Sequence, residues 1–353
     1  MTERAKRVLW LHTHSKWREF EIPMLNSLGY EVWTAKKMTG LRSESADFSC
    51  DDHLTLSAET LNRLNDIDFH SGVVSPEAVR DMNDNFCAAF IPPHDPFVIK
   101  AILAKFTGKI ILRVPGREHP KTYTEQITEF LPTIQRLGSR FWFSTAPPGG
   151  FNFKRDDMAV IEGPVLRDQS MLLPLGFSPT YSPDVWTGGG GNMVFFCPEI
   201  NSNPYYTDIY KKFVRDFSDV PYVIGGTQQV PVVDPRVLGF IPRKDLDSVM
   251  RRSEIMFYHS REPRHCHYHP FEAMAMGMPV VYMNGGILER IGGRDQPGGC
   301  DTIEQARTKV IRLARGDADL SDNIRVRQRE ISETMTFEAC KKSWQDRLPD
   351  ILR

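Results

Sequence analysis

Ile255-Met-Phe-Tyr-His259 leads through Ser260-Arg-Glu-Pro-Arg-His-Cys-His-Tyr-His269 into Pro270-Phe-Glu-Ala-Met-Ala-Met276, then Gly277-Met278 and Pro279-Val-Val-Tyr-Met283. The first segment is short, apolar and aromatic, as a buried strand is, and the polar residues after it read as a loop. Pro270 suits a helix start and Gly277 a helix end, so Pro270 to Met276 is predicted as a helix. Pro279 to Met283 is then a second buried strand. Two strands joined through a helix pair in parallel, because the crossover returns the chain to the same end of the sheet.

The same alternation continues on both sides. Upstream, strands are predicted over Asn192–Cys197, Tyr222–Ile224 and Val237–Phe240, with helices over Tyr206–Phe217 and Arg243–Arg252; downstream lies a helix over Thr302–Ala314. A separate series fills the N-terminal half. Its strands are Arg7–Leu11, Tyr30–Thr34, Phe86–Ile91, Lys109–Val114 and Arg140–Ser144, and its helices Phe20–Leu28, Pro96–Phe106 and Thr122–Leu137. Between the two, Pro174 to Pro183 and the run Gly188 to Gly191 read as a flexible linker. A chain of 353 residues is about twice the size of one hydrophobic core. The expectation is therefore an α/β protein: an N-terminal domain over 1–178, a C-terminal domain over 179–335 and a terminal helix over 336–353.

Composition narrows the function. Lys and Arg (44) nearly cancel Asp and Glu (45), which excludes a protein that grips nucleic acid mainly by charge. The apolar run Ala273 to Met283 contains Gly277 and Pro279 and falls short of the ~18 residues of a membrane span. Val8 to Leu11 is too short for a signal peptide. The six cysteines show no CxxC pair, which fits reduced thiols. A cytoplasmic location is expected, with attachment at the inner face of a membrane left open; the oligomeric state is not legible.

In open parallel sheets, ligands gather beyond the carboxyl ends of the strands. His12, His14 and Lys16 follow the first strand, His94 and Asp95 the third, and Arg113, Arg117 and Glu118 end or follow the fourth. Bland readings compete with functional ones: turn histidines are often only solvated, and Asp95 or Glu118 can pair with neighbours. Glu272 can equally be an acid in the first turn of a well-capped helix. His265, Cys266, His267 and His269 suggest a metal set, but their alternation along an extended loop splays neighbours apart, and no metal is expected.

Glu272-Ala-Met-Ala-Met-Gly-Met-Pro-Val-Val281, followed by Asn284-Gly-Gly-x-x-Glu289, resembles the donor-site signature of nucleotide-sugar glycosyltransferases of the GT-B superfamily, in its retaining, family-4-like branch (glycosyl transferases group 1). Leu172-Leu-Pro-Leu-Gly-Phe177, Val237-Leu-Gly-Phe-Ile-Pro242 with Asp245-Leu-Asp-Ser-Val-Met250, and Thr336-Phe-Glu-Ala-Cys-Lys-Lys-Ser-Trp344 are similar to further segments of that family. The resemblance implies two facing Rossmann-like domains with a cleft between them and a C-terminal helix crossing back. It implies a nucleotide-sugar donor as substrate, no separate cofactor and no metal. Glu272 would hold the ribose, and Gly285 and Gly286 would approach the diphosphate, with Arg243, Arg261 and Arg264 as candidates to neutralise it. His269, Pro270, Phe271, Phe240, Gly225 and Asn201 would complete the donor site.

A glycan or lipid-linked acceptor would meet Lys16, His94, Asp95, Arg113 and Arg117, with His12, His14, Glu118 and Glu262 as catalytic candidates. The implied activity is sugar transfer to a hydroxyl in surface polysaccharide or glycoconjugate assembly. The sequence departs from the family at three places. Arg264 stands where a Glu is usual, eight positions before Glu272; Pro198 to Asn203 replaces an Arg and a Lys; and Pro115-Gly116 replaces a His-Gly. These departures keep two alternatives open, a sugar-nucleotide epimerase of the same architecture and a catalytically silent nucleotide-sugar or glycan-binding protein.

Overall fold

The computed structural model describes residues 6–37, 53–117, 121–148 and 157–352. The chain forms two compact units. The first comprises Met1–Thr180 with Arg264–Cys266 and Thr334–Arg353, the second Tyr181–Pro263 with His267–Glu333.

Unit 1 holds a six-stranded sheet of β1 (Arg7–Trp10), β2 (Glu31–Thr34), β3 (Ala88–Ile91), β4 (Lys109–Val114), β5 (Phe141–Thr145) and β6 (Ser170–Leu172). The order is β2-β1-β3-β4-β5-β6 and every pairing is parallel. Ala88-Ala-Phe-Ile91 is buried throughout, because helices cover both faces of such a sheet. These helices are α1 (Ser15–Ser27), α2 (Ala58–Asn65), α3 (Pro76–Asn85), α4 (Pro96–Lys105), α5 (Tyr123–Gln126), α6 (Leu131–Leu137), α7 (Asp157–Ile161) and α8 (Pro164–Arg167). The single helix predicted over Thr122–Leu137 is two, joined by a 3-10 turn at Thr128–Phe130. Pro132 lacks the N–H that a continuous helix needs, and it sits instead in the first turn of α6.

Unit 2 holds β7 (Met193–Phe196), β8 (Tyr222–Gly225), β9 (Ile255–Tyr258), β10 (Val280–Met283) and β11 (Gly299–Cys300), in the order β11-β10-β9-β7-β8, again all parallel. Its helices are α9 (Pro204–Asp216), α10 (Arg243–Arg252), α11 (Tyr268–Met276), α12 (Ile287–Gly292), α13 (Ile303–Ala314) and α14 (Ala318–Glu333). The strand predicted over Val237–Phe240 is only a bridge from Val237 to Ile224, because Gly239 turns the chain with a φ of 64°. The Gly188–Gly191 run is no loose linker either. The N–H groups of Gly189 and Gly191 bond to the Glu254 carboxylate, and those of Gly188 and Gly190 to the carbonyls of Arg251 and Arg252.

Helix α14 escapes a reading of apolar periodicity because Gln328 interrupts its buried stripe of Leu320, Ile324 and Ile331. Gln328 is itself buried, accepting from Val280 N–H (3.1 Å) and donating to the Met278 carbonyl (2.7 Å), so it closes off the amino end of β10. The chain ends in α15 (Phe337–Leu352), which returns to unit 1. Its Trp344 is wholly buried, stacked on Phe90 at 6.3 Å and donating Nε1–H to the Pro174 carbonyl at 2.8 Å.

Candidate functional site

Both sheets share one topology, in which the strand order reverses beside the first strand of the unit. Reversal leaves a crevice beyond the carboxyl ends, between β1 and β3 in unit 1 and between β7 and β9 in unit 2. In unit 2 the crevice is widened, since β7 pairs with β9 only through Met193↔Ile255 and Val194↔Met256.

Beside that crevice Glu272 is the central feature. The helix carrying it starts at Tyr268, not at Pro270, so Glu272 lies beyond the first turn and is no helix-capping acid. Only 3% exposed, it is gripped by Arg243, whose Nη2 and Nη1 donate to its two carboxylate oxygens at 2.8 and 3.3 Å. Arg243 opens α10 and also pairs with Asp247 one turn on, at 2.7 Å. Burial works against the Arg243 cation, but Glu272 and then Asp247 outweigh it and raise its pKa. The buried Nε of Arg243 has no hydrogen-bond partner among the described residues. Three positions earlier the Phe240 ring is 54% exposed. Tyr181 donates to the Glu272 carbonyl at 3.0 Å, fixing the backbone of α11, and burial followed by Glu272 raises the pKa of that phenol. Tyr181 carries no motif; only the fold brings it to Glu272.

Several other donor candidates make defined contacts within the protein. The N–H of Gly285, expected at a diphosphate, donates to Glu289 Oε2 at 2.5 Å. Gly286 has its own reason to be glycine: a Cβ there would come within 2.6 Å of the Ser260 carbonyl oxygen. Arg261 braces this turn, donating to the carbonyls of Asn284 (2.8 Å) and Asp301 (2.7 Å), so its guanidinium joins the ends of β10 and β11. Pro270 and Phe271 are buried in the core of unit 2. The half-buried His269 ring stacks on Phe196 at 4.4 Å. Gly225 ends β8 with Phe196 against it, where a Cβ would meet the ring at 2.8 Å, and exposed Asn201 donates to the Pro231 carbonyl at 2.7 Å. The Glu262 N–H meets Ser260 Oγ at 3.3 Å. Arg264 groups with unit 1, where its carbonyl accepts from Arg117 N–H at 2.9 Å and the Arg117 carbonyl meets His265 Nδ1 at 2.9 Å.

His259, at the carboxyl end of β9, was visible only as the last residue of a predicted strand. Burial alone holds its imidazole down to about 4, and the ring lies edge-on to Phe195 at 5.5 Å. Among the described residues, no group of three or more His, Cys, Asp and Glu is arranged to hold a metal ion.

In unit 1, His12 is buried at the carboxyl end of β1, while His14 and His94 are exposed. Arg113 is fully buried: its Nε bonds Glu21 at 2.7 Å, and its Nη1 bonds Ser144 Oγ (3.2 Å) and the Thr145 carbonyl (2.8 Å). Trp10 donates to the other Glu21 oxygen at 2.8 Å. Asp95 is the N-cap of α4, accepting from the N–H groups of Phe97 and Val98 at 3.0 Å, and its second oxygen meets His70 Nδ1. Lys16 pairs with Glu19 at 2.7 Å. Glu118 lies outside the described residues.

No protein-family model matches the sequence, and no curated protein does. Solved structures are similar in fold. Sucrose-phosphate synthase from Thermosynechococcus elongatus matches at TM-score 0.59 and 11% identity, covering 98% of each chain. A glycosyltransferase from Rickettsia africae matches at 0.55 and 12%, covering 100% of both. A mutant O-GlcNAc transferase from Thermobaculum terrenum matches at 0.55 and 16%, over 99% of this chain and 68% of that one. The chain thus has the α/β architecture of these proteins, with two parallel Rossmann-like sheets.

Proposed function

We propose that the protein is a glycosyltransferase that takes a sugar from a nucleotide-sugar donor bound by unit 2 and passes it, with retention and without a bound metal, to a hydroxyl of a glycan or lipid-linked acceptor. The observation that carries this reading is the buried Glu272 carboxylate, held in one plane by the two-pronged grip of Arg243, with an exposed aromatic ring three residues before that arginine. A carboxylate so oriented suits the paired hydroxyls of a ribose, Phe240 suits the face of a base, and the partnerless Arg243 Nε–H suits a ligand oxygen. The fold shared with solved glycosyltransferases supports the same reading, as does the match of Glu272 to the donor signature. Departure of the nucleoside diphosphate builds negative charge, which fixed donors stabilise.

Calorimetry with uridine, guanosine and adenosine diphosphates tests the assignment. One of them should bind the wild type, and Glu272→Gln, which keeps the shape and removes the charge, should weaken it by about thirtyfold or more, in line with roughly 2 kcal/mol or more for charged hydrogen bonds. Unchanged affinity in a folded Glu272→Gln protein would remove Glu272 from the donor site. Transfer against hydrolysis of the matching nucleotide-sugars then separates a transferase from a silent binder.

A further inference from the structure

The ion pair beside the crevice of unit 2 has a third member. Arg243 reaches two acids through one nitrogen: its Nη2 lies 2.8 Å from Glu272 Oε1 and 2.7 Å from Asp247 Oδ1. Its Nη1 reaches the other Glu272 oxygen only at 3.3 Å, beyond the usual range of an N–H···O bond. The buried Nε–H makes no hydrogen bond among the described residues. The grip on Glu272 is therefore lopsided, with one firm prong that Asp247 shares and one long prong.

The three side chains differ in their freedom to move. Glu272 is buried on α11, and its carbonyl is held by Tyr181 at 3.0 Å. Arg243 and Asp247 lie one turn apart on α10, a helix that buries only Met250, and each side chain is about a third exposed. Their pair does little for α10 itself. A cation at the first position of a helix opposes the macrodipole, and an arginine four residues before an acid is the weaker order for such a pair.

A carboxylate offers a forked donor one in-plane edge. The guanidinium of Arg243 takes that edge of Glu272, and the two hydroxyls of a ribose need the same edge. A buried carboxylate left without a partner is strongly unfavourable, so Arg243 stays on Glu272 until another donor arrives.

We propose that Asp247 is a positioning residue for the nucleotide: on binding, Arg243 pivots about its Nη2–Asp247 contact, cedes Glu272 to the ribose hydroxyls and turns Nε–H and Nη1 to a ligand oxygen. The proposal rests on the reading of Glu272 as the group that holds the ribose. Asp247 keeps the cation one turn along α10, close enough that the buried charge retains its counter-charge while the hydroxyls take its lone pairs.

Calorimetry on the full chain compares uridine, guanosine and adenosine diphosphates with their 2′,3′-dideoxy forms, which lack both hydroxyls. In the wild type, the diphosphate that binds should bind about tenfold or more tighter than its dideoxy form. Asp247→Asn should weaken the ribonucleotide about fivefold and the dideoxy form less than about twofold, because a ligand without hydroxyls does not displace Arg243. The gap between the two ligands should thus shrink in Asp247→Asn and recover in Asp247→Glu, which restores the acid. An unchanged or wider gap in a folded Asp247→Asn protein, or no recovery in Asp247→Glu, overturns the pivot and leaves Glu272 on the ribose. Equal binding of the two ligands by the wild type, or no binding of any diphosphate, overturns the ribose reading and the pivot with it.

Discussion

The two crevices are built on one topology and finished in opposite ways. In unit 1 the strands β1 and β3 stay paired to their ends, with Leu11 N–H still bonded to the Phe90 carbonyl at 2.9 Å. In unit 2, β7 and β9 part after two residue pairs, and the loop after β7 ties instead to the loop after β8: Gln228 donates to the carbonyls of Cys197 and Gly226 and accepts from the N–H of Ile200. Unit 1 keeps its ion pair against an interior strand, β4, where Arg113 and Glu21 have no exposure. Unit 2 places its ion pair at the rim, where the Arg243 side chain is 36% exposed. A charge pair sealed in the core can serve only the fold, whereas one partly open to water is accessible to a ligand; the same residue types differ here in burial.

The largest expected effect breaks the pair in unit 1. Arg113→Met keeps much of the volume between Trp17 and Trp344, whose rings lie 5.4 Å from the guanidinium, but it strands the Glu21 carboxylate. Removing one partner of a buried pair costs about 3–5 kcal/mol. Urea unfolding followed by tryptophan fluorescence should show that loss. A change under about 1 kcal/mol would mean that the pair is hydrated and the contrast with unit 2 is false.

Arg113 also shows where sequence reasoning stops. Its position at the carboxyl end of a strand was legible, and from that position it was assigned to an acceptor. What sequence could not give was its side: residues alternate across a strand, so Leu112 and Val114 join the apolar core while Arg113 points to the other face, onto Glu21. Asp95 followed the same course, because Asp-Pro reads equally as a loop acid and as a helix cap, and only the His70 contact and the two N–H bonds settle it. The strands themselves are legible where apolar runs are unbroken, as in the predicted Phe86–Ile91, which holds β3. Helix α14 was hidden by one buried glutamine, and the bracing of Arg261 and Gly285 depends on residues far along the chain or one turn away. Glu272 stands out by its motif, but its contact with Arg243 is not legible, since no local pattern links the two positions.

A second test turns on two imidazoles whose surroundings disfavour the proton, His12 of unit 1 and His259 of unit 2. Burial pushes His12 well down and His259 to about 4, against an ordinary value near 6.5. Below pH 6.5 the unfolded chain takes up protons that the folded chain refuses, so stability is full above that pH and falls as pH drops toward 4. For His259 the span of roughly 2.5 pH units corresponds to about 3 kcal/mol at most. Urea midpoints between pH 7 and 4.5 should decline, and His259→Phe, whose ring can take the place against Phe195, should flatten part of that slope. An unchanged slope would show that His259 is charged or hydrated in the fold.

The smallest effect sharpens the donor side. Phe240 is an exposed aromatic ring in unit 2, set just before Pro242 and the Arg243 that grips Glu272. Exposure of a large ring to water is unfavourable without a partner, and a base stacked on it would supply one. Because the ring is already more than half in water, Phe240→Ala should leave folding stability within about 0.5 kcal/mol. Losing one stacking face should weaken the bound nucleotide by about 1 kcal/mol, or roughly fivefold, with tyrosine or tryptophan at this position restoring it. Ribose 5-phosphate, which has no base, should bind the wild type and Phe240→Ala alike. Equal nucleotide affinity in the two proteins would move the base away from Phe240 while leaving Glu272 on the ribose. A loss of ribose 5-phosphate binding would instead mean that the substitution disturbs Arg243, three residues on, and that the two positions act as one.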